Sequence, residues 1–259
     1  MMGKILYFCG PCWNNSLNLT APYRWRKWEK VKLLNRVDTK FVTTRKGLCD
    51  LLRLASDDYF IQGNRGAQGH AIYHLYFDTP DRQMYAEHQR GRKNRQKIRV
   101  RRYESSGVSF LEVKRKNNKG RTDKNRMEIA DRVPQPSEYS EFLAKYSRYN
   151  PLNLKPQLSN AFYRITLVNS AMTERLTIDT DLRFVNEVTG IEQQMDNLVI
   201  IEVKRDGLTH SPVLGMLNRL RIHSSGFSKY CIGMTVTNPA LKSNRFKERV
   251  RFVETPHGQ

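Results

Sequence analysis

Along much of the chain apolar and charged residues alternate. From Asn35 to Val42 the sequence reads NRVDTKFV, with Val37 and Phe41 on one parity and Arg36, Asp38 and Lys40 on the other. Gln96–Tyr103 sets Ile98 and Val100 against Lys97, Arg99 and Arg101, and Ser109–Lys116 sets Leu111 and Val113 against Glu112, Lys114 and Lys116. Leu198–Lys204 sets Ile201 and Val203 against Glu202 and Lys204. A period of two is that of a strand, whose successive side chains point to opposite faces, so strands are predicted at all four. Ala71–Asp78, Asn125–Ala130, Asn160–Val168, Arg175–Thr180 and Ser228–Thr235 are predicted strands on the same grounds. Helices are predicted over Arg45–Ala55 (after the cap residues Thr43 and Thr44), Glu138–Tyr146, Pro212–Ile222 and Pro239–Val253. Pro134, Pro136, Pro151 and Pro156 punctuate the middle, but no Gly/Ser linker separates the halves. The expected class is α+β, a single mixed domain over residues 33–259 dominated by antiparallel strands with flanking helices.

Residues 1–32 lack this patterning and are expected to form a poorly ordered leader. They contain CGPC at Cys9–Cys12, the tetrapeptide of thioredoxin-like redox sites. That chemistry needs a preceding strand and a following helix. Here the motif runs into the turn-rich NNSLNLTAPY, so it reads as coincidence. The short apolar run LYF is too brief for a signal peptide. No apolar stretch is long enough to span a bilayer as a helix. Four cysteines in 259 residues make no disulfide framework, and a reducing, cytoplasmic setting is the expectation.

Charge changes the picture. The chain carries 45 Lys+Arg against 25 Asp+Glu, a formal net charge of +20, which calls for a polyanionic partner. Between Gly91 and Arg126 lie fourteen Lys/Arg and three acids (Glu104, Glu112, Asp123), so about half of the surplus sits in this one segment. Five ionic stripes follow from the period of two: Arg36/Asp38/Lys40, Lys97/Arg99/Arg101, Glu112/Lys114/Lys116, Arg175/Thr177/Asp179 and Glu202/Lys204. On an open sheet such a stripe is a solvated face. On a sheet closed into a barrel it can line the interior, where Arg and Lys suit a phosphate chain and a few carboxylates suit a divalent metal. FLEVKRK (Phe110–Lys116) and IIEVKRD (Ile200–Asp206) resemble each other, either as related strands of one barrel or as common strand vocabulary.

From about Asn35 to Arg249 the sequence resembles the VTC domain, the polyphosphate polymerase domain of the triphosphate tunnel (CYTH-like) superfamily, in its stand-alone bacterial form. The matching pieces are RVDTKF (36–41), YFDTPDRQMY (76–85), KIRVRRY (97–103), FLEVKRKNNKGRTDKNR (110–126), AFYRITLVN (161–169), RLTID (175–179), IIEVKRDG (200–207) and GFSKYCIG (226–233). The resemblance implies an antiparallel β-barrel tunnel that binds ATP and polyphosphate and transfers the γ-phosphate to the growing chain with Mn²⁺ or Mg²⁺. It implies catalytic roles for Arg99, Arg101, Lys114, Arg164 and Glu202. Substrate contacts are implied for Lys40, Arg36, Lys97, Arg126, Arg175, Lys204, Ser228 and Lys229, with Arg95 on a looser alignment. Glu202, with Glu112, is the implied metal ligand. The first strand reads Arg36-Val37-Asp38-Thr39-Lys40 where the superfamily's tripolyphosphatases carry ExExK, which favours the polymerase branch. Gly226 stands where eukaryotic polymerases tend to have Lys.

Phosphoryl transfer asks mainly for positioning and charge stabilisation, so the lack of an evident His/Asp pair does not count against it. The alternatives are a triphosphate hydrolase on the same fold and a non-catalytic polyphosphate or inositol-phosphate binding domain. A nucleic-acid module ranks last, since no recognition helix or stacking platform is present, and no specific nucleic acid is expected. His74 is expected to pack or hydrogen-bond, His88 could touch phosphate, and Asp78–Asp81 reads as a turn. Tyr103, Tyr163 and Phe227 read as core rather than adenine-stacking. The basic segment KSNRFKERVR reads as a solvated face or as a contact with an acidic membrane surface. Coupling of synthesis to export would need a membrane protein partner.

Overall fold

The computed structural model describes residues 36–62, 69–119, 121–130, 133–207 and 209–254. The CGPC motif and the leader's end at residue 32 lie outside the described residues. The strands are β1 (Arg36–Thr44), β2 (Tyr59–Gln62), β3 (His70–Asp78), β4 (Arg95–Tyr103), β5 (Ser109–Lys116), β6 (Thr122–Ile129), β7 (Lys155–Asn169), β8 (Glu174–Asn186), β9 (Glu192–Met195) and β10 (Leu198–Asp206). The helices are α1 (Arg45–Ala55), α2 (Gln83–Gln89), α3 (Ser140–Tyr146), α4 (Pro212–Arg219), α5 (Lys229–Val236) and α6 (Lys247–Glu254). The strands form one antiparallel sheet in the order β1-β10-β8-β7-β3-β4-β5-β6, with β2 on β7 and β9 on β8. No described helix is long and apolar enough to cross a membrane.

The chain forms two compact units interleaved in sequence. One takes the described residues up to Gly69 with Arg164–Thr180 and Asn197–Phe227; the other takes His70–Tyr163, Asp181–Asp196 and Ser228 onward. In the first, Phe41 pairs with Ile201 and Ile201 with Ile178, while Val203 pairs with Leu176. All are buried, as are Leu48, Leu51, Leu52 and Ala55 of α1. Thr44 caps that helix as expected, its side chain accepting from the Gly47 amide at 3.2 Å. Val37 breaks the pattern at the strand's start and is exposed. The helix expected to reach Ile222 stops at Arg219, and Arg221 just beyond takes a left-handed φ of 55°.

In the second unit Leu75, Val100, Leu111 and Met127 align across β3–β6, and Phe77, Ile98 and Val113 across β3–β5. α5 is a correction: the segment expected as a strand over Ser228–Thr235 is a helix. Its Tyr230, Cys231, Ile232, Gly233 and Met234 are all buried, so it has no polar face and no helical period to read. Alternation there suggested a strand, but burial on all sides overrides such local patterns. Ser228 caps it, accepting from the Cys231 amide at 3.2 Å. The helix expected over Pro239–Val253 forms only from Lys247, after a 3₁₀ turn at Asn244–Phe246.

The Asp78–Asp81 stretch is a turn, and Asp78 does more than turn the chain. Its Oδ1 accepts from the Thr79 and Met84 amides and its Oδ2 from the Tyr85 amide and the Tyr230 hydroxyl, at 2.6–3.0 Å. Those bonds satisfy the start of α2, a helix the sequence pattern did not show, and tie α5 to it.

Candidate functional site

Each unit carries one charged constellation. In the first, strand register puts Lys40 opposite Glu202 and Glu202 opposite Thr177, and it puts Asp38 opposite Lys204 and Lys204 opposite Arg175. Directly paired residues share a face, so these stripes form one patch. Lys204 Nζ lies 2.8 Å from Glu202 Oε2. Lys40 Nζ donates to the Phe227 carbonyl at 3.0 Å, which fixes that ammonium beside the strand. Arg164 donates from Nε and Nη2 to the two oxygens of Asp179 at 2.5 and 2.7 Å, a fork that locks its plane. Burial would raise the Glu202 carboxyl's pKa, but Lys204, Lys40 and Arg164 outweigh it and hold the group well below the usual carboxylate range. Burial pushes Lys204 downward, with Arg164 and Arg175 adding to it against the pull of Glu202. Thr177 Oγ1 is buried without a hydrogen-bond partner. Arg36 opens β1 opposite Asp206; its side chain lies outside what the structure describes.

In the second unit the constellation is built on β3–β6. Tyr76, Arg99, Glu112 and Arg126 align across the four strands, and beside them Lys97, Lys114 and Lys124 align across β4–β6. Arg99 donates from Nε and Nη2 to Glu112 Oε2 at 2.8 and 2.7 Å, and Lys124 Nζ donates to Oε1 at 3.2 Å. Arg101 Nε stands 3.8 Å from the same carboxylate and donates to His74 Nε2 at 3.1 Å. Burial would raise Glu112, yet Arg99, Arg101 and Lys124 bring its pKa down to about 2. Arg99 is disfavoured by burial but held charged by Glu112 and Tyr76. Lys97 donates to Ser228 Oγ at 2.8 Å, and Lys229 Nζ lies 4.2 Å from the centre of the Phe162 ring. Arg126 lies over Phe110 at 4.6 Å. Lys114 and Arg126 are exposed.

The side chains of Arg99, Arg101 and Arg164 are only 19%, 14% and 17% exposed, and that of Glu112 2%. That rejects the solvated-face reading for Arg99, Arg101 and Glu112, while Lys114 of the neighbouring stripe does face solvent. All the candidates with described side chains lie on strands or at the start of α5, and each constellation gathers its own. Phe227 is core, as expected. Glu112, expected to share the metal with Glu202, is ion-paired with Arg99 and Lys124, and Arg101 Nε lies 3.8 Å away. Among the described residues no group of three or more His, Cys, Asp or Glu side chains could hold an ion by itself. Glu202 has Lys204 on one oxygen, and a single carboxylate suits a metal that arrives largely coordinated by phosphate oxygens. The repeat FLEVKRK/IIEVKRD therefore hides a difference, its first Glu being enclosed by cations and its second being bound on one side.

The candidate list missed Lys124, Asp179, His74 and Tyr76. Asp179 lies in a stripe that period-two reading already marked, but its pairing with Arg164 depends on strands brought together only in the fold. Lys124 follows from the β5–β6 hairpin register.

Residues 35–238 match the family described as the VTC domain. The chain belongs to this family. Solved structures similar to this VTC-domain chain include a candidate adenylyl cyclase from Hippeastrum with a dominant triphosphatase activity (17% identity, TM-score 0.49, covering 81% of this chain and 100% of that one). Candidate adenylate cyclases from Bacillus halodurans (13%, 0.46, 75% and 96%) and Vibrio parahaemolyticus (10%, 0.45, 75% and 95%) are also similar. Comparison with curated proteins gives no match.

Proposed function

We propose that this VTC-domain protein is a polyphosphate polymerase, moving the γ-phosphate of ATP to the end of a growing polyphosphate chain. The observation that carries the reading is the gathering of cations on the strand faces, above all the half-buried Arg99 and Arg101 with Lys124 around one buried carboxylate. Three positive charges on one acid leave an excess that anionic oxygens satisfy, and guanidiniums locked by Glu112 and Asp179 are preorganised to receive phosphate.

The chemistry asks little else of the protein. The terminal phosphate of the chain is ionised at neutral pH, so its oxygen attacks the γ-phosphorus without a general base. A new P–O–P bond forms, the bond from the γ-phosphorus to the β,γ-bridging oxygen breaks, and ADP leaves with the electron pair. Arg99, Arg101, Lys114 and Lys97 in one unit, and Lys40, Arg164, Arg175 and Lys204 in the other, serve as phosphate ligands that offset repulsion between two polyanions. Ser228 and Lys229 present further donors at the start of α5. Glu202 is the residue that would hold Mn²⁺ or Mg²⁺, which when bound supplies charge neutralisation at phosphate oxygens.

Purified protein given ATP, Mn²⁺ or Mg²⁺ and a short polyphosphate primer should make a polymer ladder on a gel. Arg99→Ala and Glu202→Gln should each cut synthesis about a hundredfold or more. Wild-type polymer yields from either variant would overturn the residue assignments. Phosphate release without polymer would make the protein a triphosphate hydrolase, and chain binding with neither product a non-catalytic binding domain.

A further inference from the structure

The second unit carries a cationic patch that the proposed chemistry does not use. Arg95 opens β4, two residues before Lys97 and therefore on the same face. Its Nη1 donates to the Arg92 carbonyl at 2.8 Å, which pins the guanidinium to the turn after α2. In that turn Gly91 has a φ of +76°, and the Arg245 guanidinium lies against its bare Cα: a Cβ there would sit 2.6 Å from Arg245 Nη1. One helical turn along, Arg249 Nη1 donates to the Arg245 carbonyl at 3.3 Å, while Arg249 Nε is buried without a partner. Phe246 is buried with its ring 5.9 Å from that of Tyr85 and 5.8 Å from that of His88, so the turn bearing Arg245 is fastened to α2.

Among the described residues no carboxylate pairs with Arg95, Arg245 or Arg249. Backbone carbonyls and a glycine, rather than acids, place these charges. Burial, with Lys97, Arg95, Arg245 and Arg249 around it, drives the His88 pKa down to about 2, so this ring adds no charge to the patch. Burial and the nearby Arg245 likewise disfavour the Arg95 charge. Close-set, fixed guanidiniums without acids match a ligand with close-set, fixed negative charges, such as a linear phosphate chain. Arg245 and Arg249 lie beyond residue 238, where the VTC-domain match ends.

We propose that Arg95, Arg245 and Arg249 form an outer phosphate-chain site, continuous along β4 with Lys97 and Arg99, that grips a long polyphosphate away from its reacting end. The identity of the ligand rests on the polymerase reading; the site itself is tested by binding alone. In the full chain, Arg245→Ala with Arg249→Ala should weaken long-chain polyphosphate binding about tenfold, measured by calorimetry. The slope of log affinity against log salt should fall by about one to two. Tripolyphosphate, too short to reach both places, should bind as before, and Arg245→Lys with Arg249→Lys should restore long-chain affinity. Unchanged long-chain affinity and salt slope would overturn the site, as would an equal loss for tripolyphosphate or a larger loss for a single-stranded oligonucleotide than for polyphosphate. A wild-type protein that makes no polymer, yet shows this length-dependent loss in the variant, would remove the polymerase reading and leave the outer site standing.

Discussion

At Glu112 three cations converge on one buried carboxylate, and the contest between burial and charge decides its state. The cations win: the folded pKa falls to about 2 from an ordinary 4.5. A carboxyl depressed on folding contributes stability in full above its unfolded pKa and loses it as pH falls through the folded one. The contribution should therefore be complete above about 4.5 and drain away between there and about 2. Glu112→Gln leaves Arg99 enclosed without its counter-ion and should cost about 3 kcal/mol at neutral pH. Urea melts at pH 6 and pH 3 check both statements, because the variant should lose less stability across that interval than the wild type. Parallel losses would mean that Glu112 is not the group being titrated. Glu202 is depressed in the same direction by Lys204, Lys40 and Arg164, but its partners leave it more open. The two Glu residues that look alike in sequence thus sit in different surroundings, Glu112 paired with Arg99 and Lys124 and Glu202 with Lys204.

Among the elements, α5 carries the sharpest test of packing. A Cβ on Gly233 would meet Leu158 Cδ2 and Phe184 Cδ1 at 2.5 Å, and both neighbours are fully buried. Gly233→Ala should cost about 1–3 kcal/mol and lower the melting temperature by several degrees in calorimetry; an unchanged melt would show that the neighbours give way freely. The same helix marks where sequence reading stopped. β1, β4, β5 and β10 were legible because each has one charged and one apolar parity, and α1 because Thr44 and the spacing of Leu48, Leu51 and Leu52 announce it. α5 has no polar side, so nothing local separates it from a buried strand. α2 is seven residues long and owes its start to Asp78, a residue that reads as turn chemistry until Tyr230 and the α2 amides are seen around it. The charged stripes were legible as parity, which puts Lys97, Arg99 and Arg101 on one face, whereas their roles came from the resemblance. The Arg164–Asp179 fork and the Lys124 contact with Glu112 needed the register, and the enclosure of Glu112 among cations needed the packing of three strands.

For the molecule as a whole, a formal charge of +20 makes phosphate binding inseparable from ionic strength. Affinity for long polyphosphate should fall steeply with salt because counterions are released on binding, whereas the half-buried contacts around Arg99 are screened less. Turnover on ATP at saturating primer should therefore survive salt better than primer affinity does, and steady-state kinetics at two salt concentrations separate the two. A parallel decline in both would mean that Arg99 and Arg101 act at an open surface, contrary to their burial. The central claim is the fate of the γ-phosphate, and the most direct measurement follows that atom. ATP labelled at the γ-position, incubated with protein, primer and Mn²⁺ or Mg²⁺, should deliver its label to polymer in step with ADP formed, with little label free. Label released mainly as inorganic phosphate, with primer length unchanged, would contradict the account.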